Sequence, residues 1–143
     1  MALDDLYREV ILDHYRNPRN RAEIDGPDHQ AEGVNPLCGD EVVVELRMDD
    51  GRVEAISVRG HGCSISQSSG SMMAAAIEGR TRDEIAELAS RFREMFAGDE
   101  EPGEPQRELG DLAALQGVRR YPVRVKCATL PWATLDEALT SDA

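Results

Sequence analysis

Leu3, Leu6, Tyr7, Val10, Ile11 and His14 recur at spacings of three and four, the stripe of one buried helix face. Asp4 and Asp5 fall where a helix dipole favours negative charge, and Asn17-Pro18 ends the run. Residues 19–30 show no period and read as a polar connector. From Ala31 the period changes to two. Val42, Val44, Leu46 and Met48 alternate with Glu41, Glu45 and Arg47, which predicts a half-buried strand. Asp49-Asp50-Gly51 is a hairpin signal because glycine accepts positive φ, and Arg52 to Arg59 returns as the second strand. Glu32 to Pro36 supplies a shorter third.

Helical patterning resumes after Gly60-His61-Gly62. Ser64 to Ile77 is rich in Ser, Ala and Met and stops at Gly79; its small side chains predict close packing on the sheet. Thr81-Arg82-Asp83-Glu84 is a capping box, opening a helix with Ile85, Leu88, Ala89, Phe92 and Phe96 on its inner face. Gly98 to Pro105 is an acidic loop full of helix breakers. A short helix follows from about Gln106 to Gln116, closed by Gly117. Tyr121-Pro122 predicts extended backbone before Cys127, and a last helix starts near Pro131, burying Leu135, Ala138 and Leu139. Helix, small antiparallel sheet, then helices is the order of an α+β domain, and 143 residues suit one such domain over 1–143.

Aromatic residues make up only 4% of the chain, so the core must rest on Leu, Ile, Val, Ala and Met. The formal net charge is −12. Phosphate backbones and anionic lipid would be repelled, which excludes nucleic acid and membrane surfaces as partners. The charge either meets a basic docking face or serves solubility. No apolar run approaches the ~20 residues of a membrane span, and Met1 to Asp5 lacks the basic start and apolar stretch of a signal peptide. The expected location is a reducing cytoplasm, where three cysteines read as metal ligands or reactive thiols rather than a disulfide framework.

Those cysteines sit in Cys38-Gly39-Asp40, in Gly60-His61-Gly62-Cys63 and in Arg124-Val125-Lys126-Cys127. Three thiolates and one carboxylate complete a four-ligand tetrahedral zinc set, with the aspartate its weaker member. Gly39 lets the chain turn so that Cys38 and Asp40 can reach one ion. Cys63 stands at the mouth of a helix, where the dipole favours thiolate; read singly it is equally a small core residue. Arg124 and Lys126 either tune the third thiol and steer an anionic sulfur donor or are solvated surface charges. Each cysteine is expected at an element boundary, outside the core patterns. His61 competes as a ligand but reads as an exposed loop residue between glycines, His14 as a core-edge histidine, and His29 has no claim.

Tyr7 to Asn20 (Tyr-Arg-Glu-Val-Ile-Leu-Asp-His-Tyr-Arg-Asn-Pro-Arg-Asn) resembles the opening signature of IscU-like iron–sulfur assembly proteins. Asn35-Pro36-Leu37-Cys38-Gly39-Asp40 is similar to their first ligand loop, and Gly60 to Met72 to their second. Two features resemble the SufU-type branch: Lys126 where IscU scaffolds carry histidine, and an insert at about 98–117. The resemblance implies an IscU-like α+β fold, a three-stranded antiparallel sheet against helices with a helix at each end. It implies zinc held by Cys38, Asp40, Cys63 and Cys127, with Cys38 as sulfur acceptor and Arg124 assisting. It further implies a sulfur carrier in iron–sulfur cluster assembly. A SufS-like, pyridoxal-phosphate cysteine desulfurase would supply the persulfide, and a Suf-type assembly scaffold would lie downstream. The alternative is a scaffold building a [2Fe–2S] cluster on the same ligands; lysine at 126, a poor iron ligand, argues against it.

Overall fold

The computed structural model describes residues 3–20, 22–36, 39–96 and 107–140. Helix α1 spans Leu3–Arg16 and ends before Asn17-Pro18, as the sequence predicts. Three strands follow: β1 (His29–Asn35), β2 (Asp40–Asp49) and β3 (Arg52–His61), forming an antiparallel sheet in the order β1-β2-β3. The β2–β3 turn places Asp50 at φ 52° and Gly51 at φ 79°, so the two-residue hairpin read from the sequence is present. Helix α2 (Ser64–Ile77) starts and stops where expected; α3 (Arg82–Glu94) starts at the capping box but ends before Phe96, which the sequence reading puts on its inner face. Thr81 and Glu84 make both bonds of the capping box.

Other boundaries differ from the sequence reading, and β3 runs on to His61 rather than stopping at Arg59. Strand β1 begins at His29, inside the stretch read as connector, because its backbone pairs with β2 from His29↔Leu46 to Asn35↔Asp40. The short helix at 106–116 is instead a 3-10 segment, Arg107–Arg120, broken at Gly110 and continuing past Gly117. The final helix, α4, spans Pro122–Thr140 and contains Pro131 rather than starting there. Pro122 takes the first-turn position that suits proline, so the extended backbone expected up to Cys127 does not occur. Pro131 is tolerated because tertiary packing overrides its local cost: it is buried against α2 at Gly70, where an added Cβ would stand 3.7 Å from the proline ring. The acidic loop at Gly98–Pro105 lies outside the described residues.

Helices α2 and α4 cover one face of the sheet, α4 against β1 and β2 and α2 against β3. Val42, Val44 and Leu46 of β2 bury there with Ile56 and Val58. Small residues set the approach, as expected: an added Cβ on Gly70 would meet Val58 Cγ1 at 2.9 Å, and one on Gly33 would collide with Thr134 of α4. Phe92 of α3 stacks on Trp132 of α4 at 4.9 Å, joining α3 to this core. Of the predicted inner faces, Ile85, Leu88, Phe92, Leu135 and Ala138 are buried, while Ala89, Phe96 and Leu139 are half-buried. Glu45, read as solvent-facing, is buried and paired with Arg59 at 2.5 Å.

His14 is buried as expected, and it joins three elements. Its Nδ1 lies 2.8 Å from Ser71 Oγ on α2, and its Nε2 lies 2.9 Å from Asp111 Oδ2 on the 3-10 segment. Ser71 Oγ also accepts the Arg19 N–H at 2.9 Å. No described helix is long and apolar enough to cross a membrane.

Candidate metal centre

The end of the sheet, the start of α2 and the first turns of α4 meet at one point. Asp40 opens β2 and is fully buried. Gly39 before it sits at φ 70°, the left-handed turn that the sequence reading assigned to this glycine. Strand β3 leaves through Gly60 and Gly62 at φ 146° and 149°. A side chain on Gly62 would overlap the Asp40 carboxylate and come within 2.8 Å of its Cα. Glycine is therefore what brings the next residue against the aspartate. That residue is Cys63, whose backbone N–H donates to Asp40 Oδ1 at 2.8 Å and whose Sγ lies 3.8 Å from Oδ2. Cys63 is the N-cap of α2, yet its side chain makes no capping bond, so the thiol is left for the aspartate and for Ser66 Oγ at 3.9 Å.

Cys127 arrives from the other side. It lies within α4, fully buried, on the stripe that includes Ala128, Pro131, Trp132 and Leu135. The sequence reading placed it at an element boundary, outside any core pattern; the earlier start of α4 reverses that. Asn35, the last residue of β1 and the register partner of Asp40, directs its carboxamide Nδ2 to Cys127 Sγ at 3.8 Å. Ligand atoms of Asp40, Cys63 and Cys127 all lie within 4.8 Å of one another.

A tetrahedral zinc with Zn–S bonds near 2.3 Å and Zn–O bonds near 2.0 Å requires ligand–ligand edges of about 3.5–3.8 Å. The Asp40–Cys63 edge, an oxygen–sulfur one, is 3.8 Å, about 0.3 Å longer than the short end of that range. The donor set of thiols and a carboxylate fits a divalent cation of this type. Arg124, three residues before Cys127, faces the cluster from the exposed side. Its guanidinium is held above its ordinary value, first by the charge of Cys63, then by a hydrogen bond to Cys63, then by Cys127.

Asp40, Cys63, Cys127 and Arg124 are thus brought together, while Cys38 lies outside the described residues. His61 is exposed, pairs with Glu41 at 3.3 Å and stands apart from the cluster. Lys126 is exposed, in keeping with a solvated charge. Among the described cysteines, Cys63 and Cys127 are free thiols. Sequence reasoning missed Asn35 as a contributor. Its signal was a short carboxamide at a strand end beside a ligand motif, where burial obliges it to find a hydrogen-bond partner.

Residues 6–128 match the NifU-like N terminal domain. The chain is 40% identical to the zinc-dependent sulfurtransferase SufU of Bacillus subtilis (strain 168), over 98% of this chain and 93% of that protein. It is 39% identical to the iron–sulfur cluster assembly scaffold protein IscU of Streptococcus pyogenes serotype M1, over 99% and 87%. Among solved structures, one from Fervidobacterium islandicum AW-1, described as a candidate iron–sulfur cluster assembly scaffold for the SUF system, superposes with a TM-score of 0.85 at 34% identity. That superposition covers 97% of this chain and all of the other, 100%. The N-terminal part of a NifU-like protein from Brucella abortus gives 0.82 at 28% identity, over 96% and 94%.

Proposed function

We propose that this chain, which belongs to the family of NifU-like N terminal domains, is a zinc-dependent sulfurtransferase serving iron–sulfur cluster assembly. The observation that carries the reading is the meeting of Asp40, Cys63 and Cys127 within 4.8 Å at one end of the sheet, with Arg124 beside them. Cys38 is the proposed fourth ligand. It stands two residues before Asp40 in the sequence, across Gly39. Bound zinc would be redox-silent and would keep its thiol ligands deprotonated near a persulfide.

The chain's own residues supply the rest. Asp40 fixes the Cys63 backbone and offers the oxygen ligand, the weaker member of the set. Cys38 is the proposed acceptor: its thiolate attacks the terminal sulfur of a donor persulfide, a new S–S bond forms, the donor's S–S bond breaks, and the donor leaves as thiolate. One sulfur atom moves and no electrons are gained or lost overall. Arg124, cationic and exposed, pairs with the anionic sulfur as it arrives. The donor proposed is a pyridoxal-phosphate cysteine desulfurase, and the receiver a Suf-type assembly scaffold.

A second reading, a scaffold holding a [2Fe–2S] cluster, draws on the IscU relatives of comparable identity. Lys126 speaks against it: it is exposed and ends in an ammonium, a poor iron ligand. The two readings separate in one experiment. The protein is purified natively, zinc and iron are measured, and it is incubated with a desulfurase and cysteine. The expected result is bound zinc and a mass gain of one sulfur that disappears in Cys38→Ala. A coloured iron–sulfur species surviving gel filtration, without sulfur uptake, would overturn the proposal in favour of the scaffold.

A further inference from the structure

Beside the metal cluster runs an open groove of about 770 Å³, bounded by α1, the start of α2, the 3-10 segment and the first turn of α4. Ile11 and Leu12 of α1, Ile65 of α2 and Val118 of the 3-10 segment give it a hydrocarbon floor. Tyr121, 63% exposed, stands at its edge. Ser64, the residue after Cys63, lines the same groove and so joins it to the metal centre. Two guanidiniums border it, Arg8 and Arg124. In a chain of net charge −12 a paired positive rim runs against the overall surface. Arg124 is engaged with the cysteine sulfurs. Arg8 is exposed, and its guanidinium has no hydrogen bond or ion pair among the described residues.

The chemistry of the lining selects its occupant. A polyanion or a lipid surface would meet the acidic remainder of the protein and be repelled. A small anion would leave the apolar floor uncovered. An extended peptide segment, with a carboxylate next to a large apolar side chain, satisfies both parts of the lining. The carboxylate takes the fork of a guanidinium, and the apolar side chain covers the floor.

We propose that this groove docks such an acidic-and-apolar segment of the sulfur-donating protein, with Arg8 as the charged anchor and Tyr121 as the apolar rim. The inference rests on the sulfur-transfer reading above. Docking here sets the donor alongside the Cys63 end of the cluster, and the charge pairing speeds encounter more than it alters the chemical step. Arg8 therefore decides which protein delivers sulfur rather than how sulfur moves.

The test is desulfurase-driven persulfidation measured against the concentration of this protein, for wild type, Arg8→Glu and Tyr121→Ser. Both variants should keep wild-type zinc content and the wild-type rate with glutathione persulfide, a donor too small to need the groove. With the desulfurase, Arg8→Glu should raise the half-saturating concentration about tenfold and Tyr121→Ser severalfold, with the plateau rate kept. The half-saturating concentration of wild type should also rise with ionic strength, and that of Arg8→Glu should rise less. Wild-type saturation in both variants would overturn the docking proposal. Failure of wild type itself to accept sulfur from the desulfurase would instead overturn the sulfur-transfer reading.

Discussion

The Asn35 carboxamide points at Cys127 Sγ from 3.8 Å, across a separation of 92 residues. That contact ties a thiol on the last helix to the strand end that precedes Cys38, and it buries an amide where a partner is obligatory. A hydrogen bond from outside the ligand set orients the ligand and tunes its donor strength, and losing one typically costs 10–100-fold in metal affinity. Asn35→Ala should therefore weaken zinc by about that factor, measured by competition with a chromophoric chelator. The cobalt-substituted variant should also shift its sulfur-to-metal absorption band. An unchanged affinity and spectrum would remove Asn35 from the site.

Asp40 is the residue on which the Cys63 backbone rests. Asp40→Ala deletes an oxygen ligand and leaves the Cys63 N–H without its acceptor. We expect faster zinc release and altered sulfur transfer, with the far-ultraviolet circular dichroism of the fold retained. Transfer at the wild-type rate would refute the role.

Gly62 reaches the same aspartate through backbone geometry. An alanine there would need φ near 149° and a Cβ within 2.8 Å of Asp40 Cα. Gly62→Ala should thus release the metal as readily as Asp40→Ala although no ligand has been removed. A control at Gly51, where a Cβ meets nothing within 4 Å, should leave metal content at the wild-type level. Zinc content in Gly62→Ala equal to that control would show the backbone path is not required.

Arg124 is held above its ordinary value by the cysteines, so it stays charged throughout the working pH range. Arg124→Ala should lower sulfur acceptance about tenfold or more with zinc content kept, and Arg124→Lys should recover part of the loss. Any pH dependence of transfer must then arise from groups other than Arg124. Equal transfer by all three proteins would make Arg124 a bystander.

The capping box of α3 gives a stability test with a definite sign. Thr81 Oγ1 accepts the Glu84 N–H at 3.2 Å, and Glu84 accepts the Thr81 N–H at 3.1 Å. The backbone bond from Thr81, then its side chain, hold the Glu84 carboxyl below its ordinary 4.5. A depressed folded-state value contributes stability above the ordinary value and loses it as pH falls through the depressed one. The deficit of Glu84→Ala in urea unfolding should accordingly shrink in acid. That of Thr81→Ala, about 1 kcal/mol, should persist because a hydroxyl does not titrate there. A Glu84→Ala deficit independent of pH would contradict the assignment.

Local sequence determined much of this protein. The turn at Asp50-Gly51, the capping box at Thr81, the stop at Gly79 and the alternation from Val42 to Met48 each carry their own short-range physics, and each element forms where that physics puts it. The types of the ligands were equally plain, since thiols and a carboxylate beside glycines admit few chemistries. Tertiary structure decided the rest. Pro131 lies inside a helix because α2 presents Gly70 to it, Glu45 is buried because Arg59 lies beside it, and Cys127 faces Asn35 because α4 begins nine residues earlier than Pro131. Local propensity amounts to tenths of a kilocalorie for ordinary residues and about 3 kcal/mol for a proline such as Pro131, and burial of an apolar face outweighs it. Which side chains meet across long separations is fixed by packing, and no window of sequence contains it.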